Sequence, residues 1–199
     1  MKKILFIALL IASALPRANA QTSQGNLFFG GAVRFDSYKD EDDGEDNKTS
    51  SFTFAPSVGY FVIDNLAVGI DLNLTASKSD DGFGGDDKIN TIGVGPFARY
   101  YKFTSNEKFA FIGELGFGFV GTKIKPDGQD ETKASGFNVH LSPGFAYFFN
   151  EHWCLDLELQ GIAFQSIDPN KDQDDDKQTQ FTFGVSSLSP TLGIKYFLK

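Results

Sequence analysis

Pro56-Ser57-Val58-Gly59-Tyr60-Phe61 is the first of four stretches in which a proline leads, through a few alternating residues, into a cluster of aromatic side chains. The other three begin at Pro96, Pro143 and Pro190, so successive prolines are 40, 47 and 47 residues apart. This step is longer than one hairpin strand with its turn. A repeat of that length predicts one up-and-down β-hairpin per unit, and hence four hairpins in the chain.

Alternation of side-chain character extends in both directions from each stretch. In the first segment the apolar face consists of Leu27, Phe29, Gly31, Val33 and Phe35. The other face begins with Phe28, continues with small residues and ends in charge at Arg34 and Asp36. A period of two residues predicts a β-strand with two unlike faces, and eight such segments follow one another along the chain. In the last segment the parity of the apolar residues switches near Ser186-Ser187, which predicts a β-bulge there.

Short and long connections alternate between the predicted strands. Tight turns are predicted at residues 64–65, 104–107 and 150–152. Long loops are predicted at residues 39–48, 78–88, 123–133 and 168–178, and all but the third carry a net negative charge. This asymmetry is typical of outer-membrane barrels, which have long loops outside the cell and short turns in the periplasm. The predicted fold is therefore all-β, an eight-stranded antiparallel up-and-down transmembrane β-barrel. The competing fold is a soluble β-sandwich or lipocalin-like barrel, which would turn its apolar face inward.

The first residues and the composition narrow the class of protein. Lys2 and Lys3 precede an apolar run, and Ala18-Asn19-Ala20 fits a cleavage site. Residues 1–20 are therefore predicted to be a cleaved signal peptide and residues 21–199 a single barrel domain. The formal net charge of −8 disfavours a nucleic-acid partner. The single cysteine excludes an internal disulfide and any multi-cysteine metal site, and no later stretch is apolar for long enough to form a spanning helix.

Two phrases carry a resemblance to a known family. They are Phe61-Val62-Ile63-Asp64-Asn65-Leu66-Ala67-Val68-Gly69 and Gly193-Ile194-Lys195-Tyr196-Phe197-Leu198. Together with the four-hairpin layout, they resemble the eight-stranded outer-membrane barrels of Gram-negative bacteria typified by OmpX and the barrel of OmpA. The second phrase is similar to the C-terminal signal that the barrel-assembly machinery reads. That signal usually ends on an aromatic residue, whereas Leu198 and Lys199 follow the aromatic residue here.

The resemblance implies a protein of the cell outer membrane, with both termini in the periplasm and without a cofactor. It implies contact with outer-membrane lipid and lipopolysaccharide, with the assembly machinery during insertion, and with a protein partner in an outer-membrane complex. We expect a non-enzymatic structural, surface-interaction or accessory-subunit role that uses the acidic loops. A porin-like, low-conductance channel for small solutes is the alternative, and a lipid A-modifying enzyme is a remote one.

Ionisable side chains recur on the faces predicted to point into the lumen. They are Arg34, Asp36, Asp71, Arg99, Glu114, His140, Asp156, Glu158 and Lys195, together with Gln160. Since eight strands enclose little more than side chains, we expect an interior of paired charges; a gated polar path is the alternative. The repeated aromatic clusters are all interpreted as an interfacial girdle on the short-turn side. Its principal members are Tyr60, Tyr100, Tyr147, Trp153 and Tyr196.

Two weaker patterns complete the set of candidates. His140-Leu141-Ser142 resembles the His-x-Ser pair of lipid A deacylases of the PagL type, but its parity directs both polar side chains inward and favours lumen lining. Alternate oxygen ligands suggest a calcium loop at Asp168, Asn170, Asp172 and Asp174. Gln173 and Thr179 replace the usual glycine and glutamate of such a loop, so a solvated loop is favoured. No catalytic residue is expected, and Cys154 is interpreted as an inert inward thiol.

Overall fold

The computed structural model describes residues 20–42, 45–80, 86–128, 130–169 and 177–199. The predicted signal peptide lies outside these ranges except for Ala20, which begins a single 3-10 turn. Eight strands follow: β1 Leu27–Asp42, β2 Glu45–Ile63, β3 Leu66–Asp80, β4 Asp86–Phe103, β5 Phe109–Lys125, β6 Thr132–Phe148, β7 Trp153–Asp168 and β8 Gln178–Leu198. Within the described ranges, no helix has the length and apolar character needed to cross a membrane.

The eight strands form a closed antiparallel barrel in which each strand pairs with its neighbours in sequence and β1 closes against β8. The closing ladder runs from Leu27 opposite Leu198 to Ala32 opposite Gly193. This architecture confirms the predicted eight-stranded up-and-down fold. The tight turns between β2 and β3, β4 and β5, and β6 and β7 lie at one end, which we call the turn end. The opposite end, where β1 and β2 meet, is the loop end.

The connections at the loop end are shorter than the sequence predicted. β1 and β2 stay in register through the predicted loop at residues 39–48, as far as Asp42 opposite Glu45. β3 and β4 likewise pair as far as Asp80 opposite Asp86. The prediction assigned these charged residues to loops because they have nothing to bury. It was wrong because main-chain hydrogen bonds hold two antiparallel strands together without any need for an apolar face.

Apolar side chains cover the outside of the barrel. Phe35 of β1 exposes 70 % of its surface, and Leu115 and Phe119 of β5 expose 55 % and 59 %. Large apolar residues occupy the corresponding outward positions of the other strands. A continuous apolar band of this kind is unfavourable in water and matches the hydrocarbon layer of a membrane.

Glycines make room for bulky side chains in the narrow lumen. Phe28 of β1 lies opposite Gly59 of β2, and Phe97 of β4 lies opposite Gly69 of β3. Since the two glycines are themselves paired, the two rings meet above them with their centroids 6.0 Å apart. A β-carbon at Gly69 would lie 2.4 Å from the Phe97 ring and 2.1 Å from a main-chain oxygen of β2. Space, rather than backbone flexibility, therefore requires glycine at these positions.

The prolines of the repeats lie at gaps in the strand ladders. The pairing of β2 with β3 passes over Pro56, and the pairings of β4 with β5 and of β6 with β7 pass over Pro96 and Pro143. The ladder between β7 and β8 shifts register on both sides of Ser186, at the position where the sequence predicted a β-bulge. Since proline has no N–H group to donate, a gap accommodates it without the loss of a ladder hydrogen bond.

We expect Gly69→Ala to destabilise the barrel, because the added methyl group must displace the Phe97 ring or the neighbouring strand. Overpacking of this kind lowers the free energy of unfolding by about 1–3 kcal/mol. Gly113→Ala is the matched control, since a β-carbon at Gly113 meets no atom within 4 Å. Urea titration in lipid vesicles, followed by the fluorescence of Trp153, measures both variants. Equal unfolding midpoints for the two would contradict the space-making role of Gly69.

Candidate functional site

Aromatic side chains close the lumen at the turn end. They are Phe28, Phe61, Phe97, Tyr101, Phe148 and Phe197, and all are buried. The centroids of Phe148 and Phe197 are 5.3 Å apart, and those of Phe61 and Phe197 are 6.1 Å apart. Rings at these distances are in packing contact. We call this layer the aromatic plug.

The aromatic plug corrects the prediction that the repeated aromatic clusters all belong to an interfacial girdle. Successive residues of a strand point to opposite faces, so Tyr60 is exposed on the outside whereas Phe61 is buried in the lumen. The predicted girdle residues are exposed or partly exposed: Tyr60, Tyr100, Tyr147, Trp153 and Tyr196. Each cluster therefore contributes to two layers, one inside the barrel and one around it.

A buried cluster of charges lies beside the aromatic plug, with Arg99 at its centre. Arg99 of β4 is directly opposite Glu114 of β5, and its Nε atom donates a hydrogen bond of 2.7 Å to Glu114 Oε2. The same guanidinium group reaches β7, where its terminal nitrogens bind the carboxylates of Asp156 and Glu158. One cation thus engages three carboxylates from two sides of the lumen.

Lys195 of β8 supplies the second cation. Its Nζ atom lies 2.5 Å from Asp156 Oδ2 and 3.9 Å from Glu158 Oε1. Asp156 also accepts a hydrogen bond of 3.1 Å from the buried thiol of Cys154. We call Arg99, Glu114, Asp156, Glu158 and Lys195 the ion cluster. Its two cations and three carboxylates leave a formal net charge of −1. His140 Nε2 lies 3.6 Å from Glu114 Oε1 and supplies a further positive charge when protonated.

The structure therefore brings together six of the nine ionisable residues that the sequence places in the lumen, namely His140 and the ion cluster. Arg34 and Asp36 form a separate and exposed pair, with 2.8 Å between Arg34 Nε and Asp36 Oδ2. Asp71 lines the cavity above the ion cluster. The side chain of Gln160 lies outside the described part of the chain.

A cavity of about 410 Å³ occupies the lumen on the loop-end side of the ion cluster. Arg99, Glu158 and Lys195 border it on one side, and Asp71 and His140 line its wall. Further toward the loop end, inward hydroxyl groups form cross-strand hydrogen bonds. These pairs are Thr49 with Ser79, Ser51 with Ser77, Thr53 with Thr75, and Thr91 with Thr122. The lumen is thus a polar cup, which the ion cluster and the aromatic plug close toward the turn end.

The structure describes the first of the two weaker sequence patterns, the His-x-Ser pair, but only the beginning of the second, the calcium loop. His140 faces the lumen beside Glu114 of the adjacent strand. Asp168 ends β7, whereas the other predicted calcium ligands lie outside the described residues: Asn170, Asp172 and Asp174. Calcium binding therefore stays a prediction. Across the ranges that the structure describes, no group of three or more His, Cys, Asp or Glu side chains is arranged to hold a metal ion.

Sequence reasoning gave no role to Phe28 and Phe97, although a signal for their position was present. Both have the parity of the polar face of their strands, where a large aromatic residue is unusual for a water-filled lumen. Their glycine partners Gly59 and Gly69 are also visible in the sequence, but the partnership depends on the register of two hairpins. Only the strand pairing of the structure shows that the two rings lie side by side in the aromatic plug.

We expect Arg99→Met to lower the free energy of unfolding by about 3–5 kcal/mol, because it leaves buried carboxylates without their shared cation. Arg34→Met is the matched control. Its exposed ion pair contributes about 0–1 kcal/mol. Urea unfolding in vesicles of neutral lipid measures both variants. A loss for Arg99→Met no larger than that for Arg34→Met would contradict the central position of Arg99 in the cluster.

Several solved structures are similar to this chain. The outer membrane protein OprG from Pseudomonas aeruginosa is 16 % identical, with a TM-score of 0.47 over 90 % of this chain and 98 % of that one. The N-terminal β-barrel domain of Pseudomonas aeruginosa OprF is 14 % identical, with a TM-score of 0.41 over 88 % and 98 %. Outer membrane protein W of E. coli is 14 % identical, with a TM-score of 0.43 over 88 % and 97 %. No curated protein matches the chain.

A family model decides the classification. The model of the outer membrane protein beta-barrel domain matches residues 4–187 of the 199-residue chain. The match covers all eight strands except the last part of β8. It agrees with the closed barrel, with its apolar outer band and with the resemblance drawn from the sequence. The chain therefore belongs to the family of the outer membrane protein beta-barrel domain.

Proposed function

We propose that this outer-membrane barrel is closed to solutes and non-enzymatic, and that it presents its paired hairpins outside the cell as a structural or interaction surface. In this proposal the loop end faces the exterior, and the turn end and both termini face the periplasm. The outer face contacts outer-membrane lipid and lipopolysaccharide, and the barrel-assembly machinery inserts the chain. A protein partner in an outer-membrane complex would meet the hairpins at the loop end.

One observation carries the proposal: two different layers fill the lumen in series. The ion cluster joins β4 and β5 to β7 and β8 across the lumen, and the aromatic plug packs ring against ring below it. A solute that entered the polar cup would have to separate buried ion pairs and then displace packed rings. Separating ion pairs that are buried in this way costs several kcal/mol, which supports a closed barrel.

The alternative function is a low-conductance channel for small polar solutes. The cavity above the ion cluster favours it, because its wall carries hydroxyl, amide and carboxylate groups. Conduction would require the guanidinium of Arg99 to release the carboxylates of β7 and the aromatic rings to move aside. For a lipid-modifying enzyme, the pair of His140 and Ser142 would have to meet a lipid, whereas His140 is in contact with Glu114 in the lumen.

We expect the wild-type protein to produce no single-channel steps in a planar bilayer, because the ion cluster and the plug both block the lumen. A water-filled porin reconstituted at the same protein-to-lipid ratio shows that the assay detects channels. A heat-dependent shift on an SDS gel verifies that the sample is folded. Reproducible steps of constant size from folded protein would overturn the closed-barrel proposal and favour the channel.

The proposed orientation is tested with two variants that each add one cysteine at an exposed position, Lys125→Cys at the loop end and Glu107→Cys at the turn end. In intact cells, a membrane-impermeant maleimide is expected to label only the Lys125→Cys variant. The unmodified protein gives the background, which is low because Cys154 is buried. Both variants become labelled after the outer membrane is permeabilised. Labelling of the Glu107→Cys variant alone in intact cells would contradict the orientation.

A further inference from the structure

Three glycines at inward positions of β4 and β5 leave space in the lumen. They are Gly93, Gly95 and Gly118, and all three line the cavity of about 410 Å³ above the ion cluster. Their positions have the same parity as the inward residues Arg99 and Glu114 of these strands. Cavities of about 300–1,000 Å³ are typical of sites for small organic molecules. The cavity therefore has the size of a ligand site rather than that of a packing defect.

Polar side chains flank these glycines on both sides. Asp71 of β3 lies opposite Gly95, and Asn138 of β6 lies opposite Gly118. A β-carbon at Gly118 would be 3.0 Å from Asn138 Oδ1, so the amide group leans over the glycine. His140, two residues further along β6, lines the same cavity. The strands on either side of β4 and β5 therefore direct hydrogen-bonding groups into one space.

Asp71 carries a negative charge that its neighbours do not compensate. The residues directly opposite it on β2 and β4 are Ser57 and Gly95, which are neutral. Among the residues that the structure describes, none forms a hydrogen bond or an ion pair with the Asp71 carboxylate. Arg99 and Lys195 border the same cavity, but their nitrogens bind the carboxylates of the ion cluster. Because Asp71 is partly buried, its carboxylate is favoured by a cation in the cavity.

The uncompensated negative charge around the cavity lies in two places. The ion cluster has a formal net charge of −1, and Asp71 adds a second negative charge when His140 is neutral. Within the cluster, the side chain of Glu158 is 23 % exposed, whereas those of Glu114 and Asp156 are 4 % and 1 % exposed. Glu158 is therefore the carboxylate of the cluster that a ligand reaches from the cavity, and Asp71 is the carboxylate of the wall.

We propose that the cavity binds a short aliphatic diamine, with one ammonium group at Asp71 and the other at Glu158. A diamine carries two positive charges and so matches the two uncompensated negative charges. Each ammonium group has three N–H donors and requires several acceptors. At Asp71 the hydroxyl group of Ser57, on the paired position of β2, is a second acceptor. The methylene chain between the two ammonium groups fits beside Gly93 and Gly95, where the wall has no side chains.

The cavity is reached from the loop end. The inward residues Arg34 and Asp36 of β1 have side chains that are 51 % and 48 % exposed, and Asn73 beside the cavity is exposed as well. Arg34 and Asp36 form an ion pair with no net charge, so they do not repel a cation that enters. The aromatic plug closes the other end. The site is thus a pocket with one entrance, and the inference goes beyond the closed-barrel proposal by assigning the lumen a ligand.

The test is a calorimetric titration of folded protein in micelles of a nonionic detergent at low salt. The ligands are linear diamines of three, four and six carbons, with butylamine as the singly charged comparison and butanediol as the uncharged one. The proteins are the wild type, Asp71→Asn and the matched control Asp127→Asn. Asp127 is an exposed residue that follows β5 at the loop end, so both variants lose one negative charge at the same end of the barrel. The gel shift on heating establishes that each protein is folded.

We expect Asp71→Asn to bind the best diamine about tenfold to a hundredfold more weakly than the wild type, because it loses one charged hydrogen bond. Butylamine should bind the wild type about tenfold more weakly than that diamine, since it lacks the second ammonium group. The Asp127→Asn control should bind as the wild type does. Without ligand, Asp71→Asn should unfold at the same urea concentration as the wild type or at a higher one, because Asp71 has no partner within the described part of the chain.

Three results would overturn the inference: no saturable heat with any of the three diamines, unchanged affinity in Asp71→Asn, and equal affinity of the wild type for butanediol. The second result would place the diamine elsewhere on the acidic surface, and the third would attribute binding to the shape of the cavity rather than to its charge. The bilayer measurement is made without diamine, and the titration does not depend on whether the lumen conducts. A failure here is therefore distinguishable from a failure of the closed-barrel proposal.

Discussion

The contacts of Arg99 with carboxylates on both sides of the lumen are the interaction on which the interior of this barrel depends. Main-chain hydrogen bonds tie each strand only to its neighbours, whereas Arg99 joins β4 to β5 and to β7, and Lys195 adds β8. A lumen of eight strands is too narrow to hydrate these charges, so each must find its partner within the chain. The ion cluster therefore fixes how the two halves of the barrel face each other.

The same narrow lumen determines where glycine and aromatic residues can stand. Some large inward side chains fit because a glycine lies opposite them on one neighbouring strand, as Phe28 and Phe97 show above Gly59 and Gly69. Lys195 meets Gly30 of β1 in the same way, with a β-carbon there only 2.5 Å from its stem. The side chains that close the lumen therefore depend on glycines at the paired positions of neighbouring strands. The proposed closed barrel depends on the same pairs.

Alternation along single strands was sufficient to predict the number of strands, the short turns and the face on which Arg99 and Glu114 lie. It could not predict which inward residues meet, because Arg99 and Asp156 are 57 residues apart and their contact depends on barrel closure. It also misjudged the loop end, where pairing continues through charged residues such as Lys39 and Lys48. Apolar periodicity reports burial in lipid or in a core, and it says nothing about strands held by main-chain hydrogen bonds alone.

Charged residues are paired differently on the inner and outer faces of the barrel. In the lumen opposite charges stand face to face, and Arg99 lies directly across from Glu114. On the outer face, beyond the apolar band, like charges stand opposite each other, as in Lys78 and Lys88. Exposed like charges are tolerated because water and salt screen them, whereas a buried charge without a partner costs several kcal/mol.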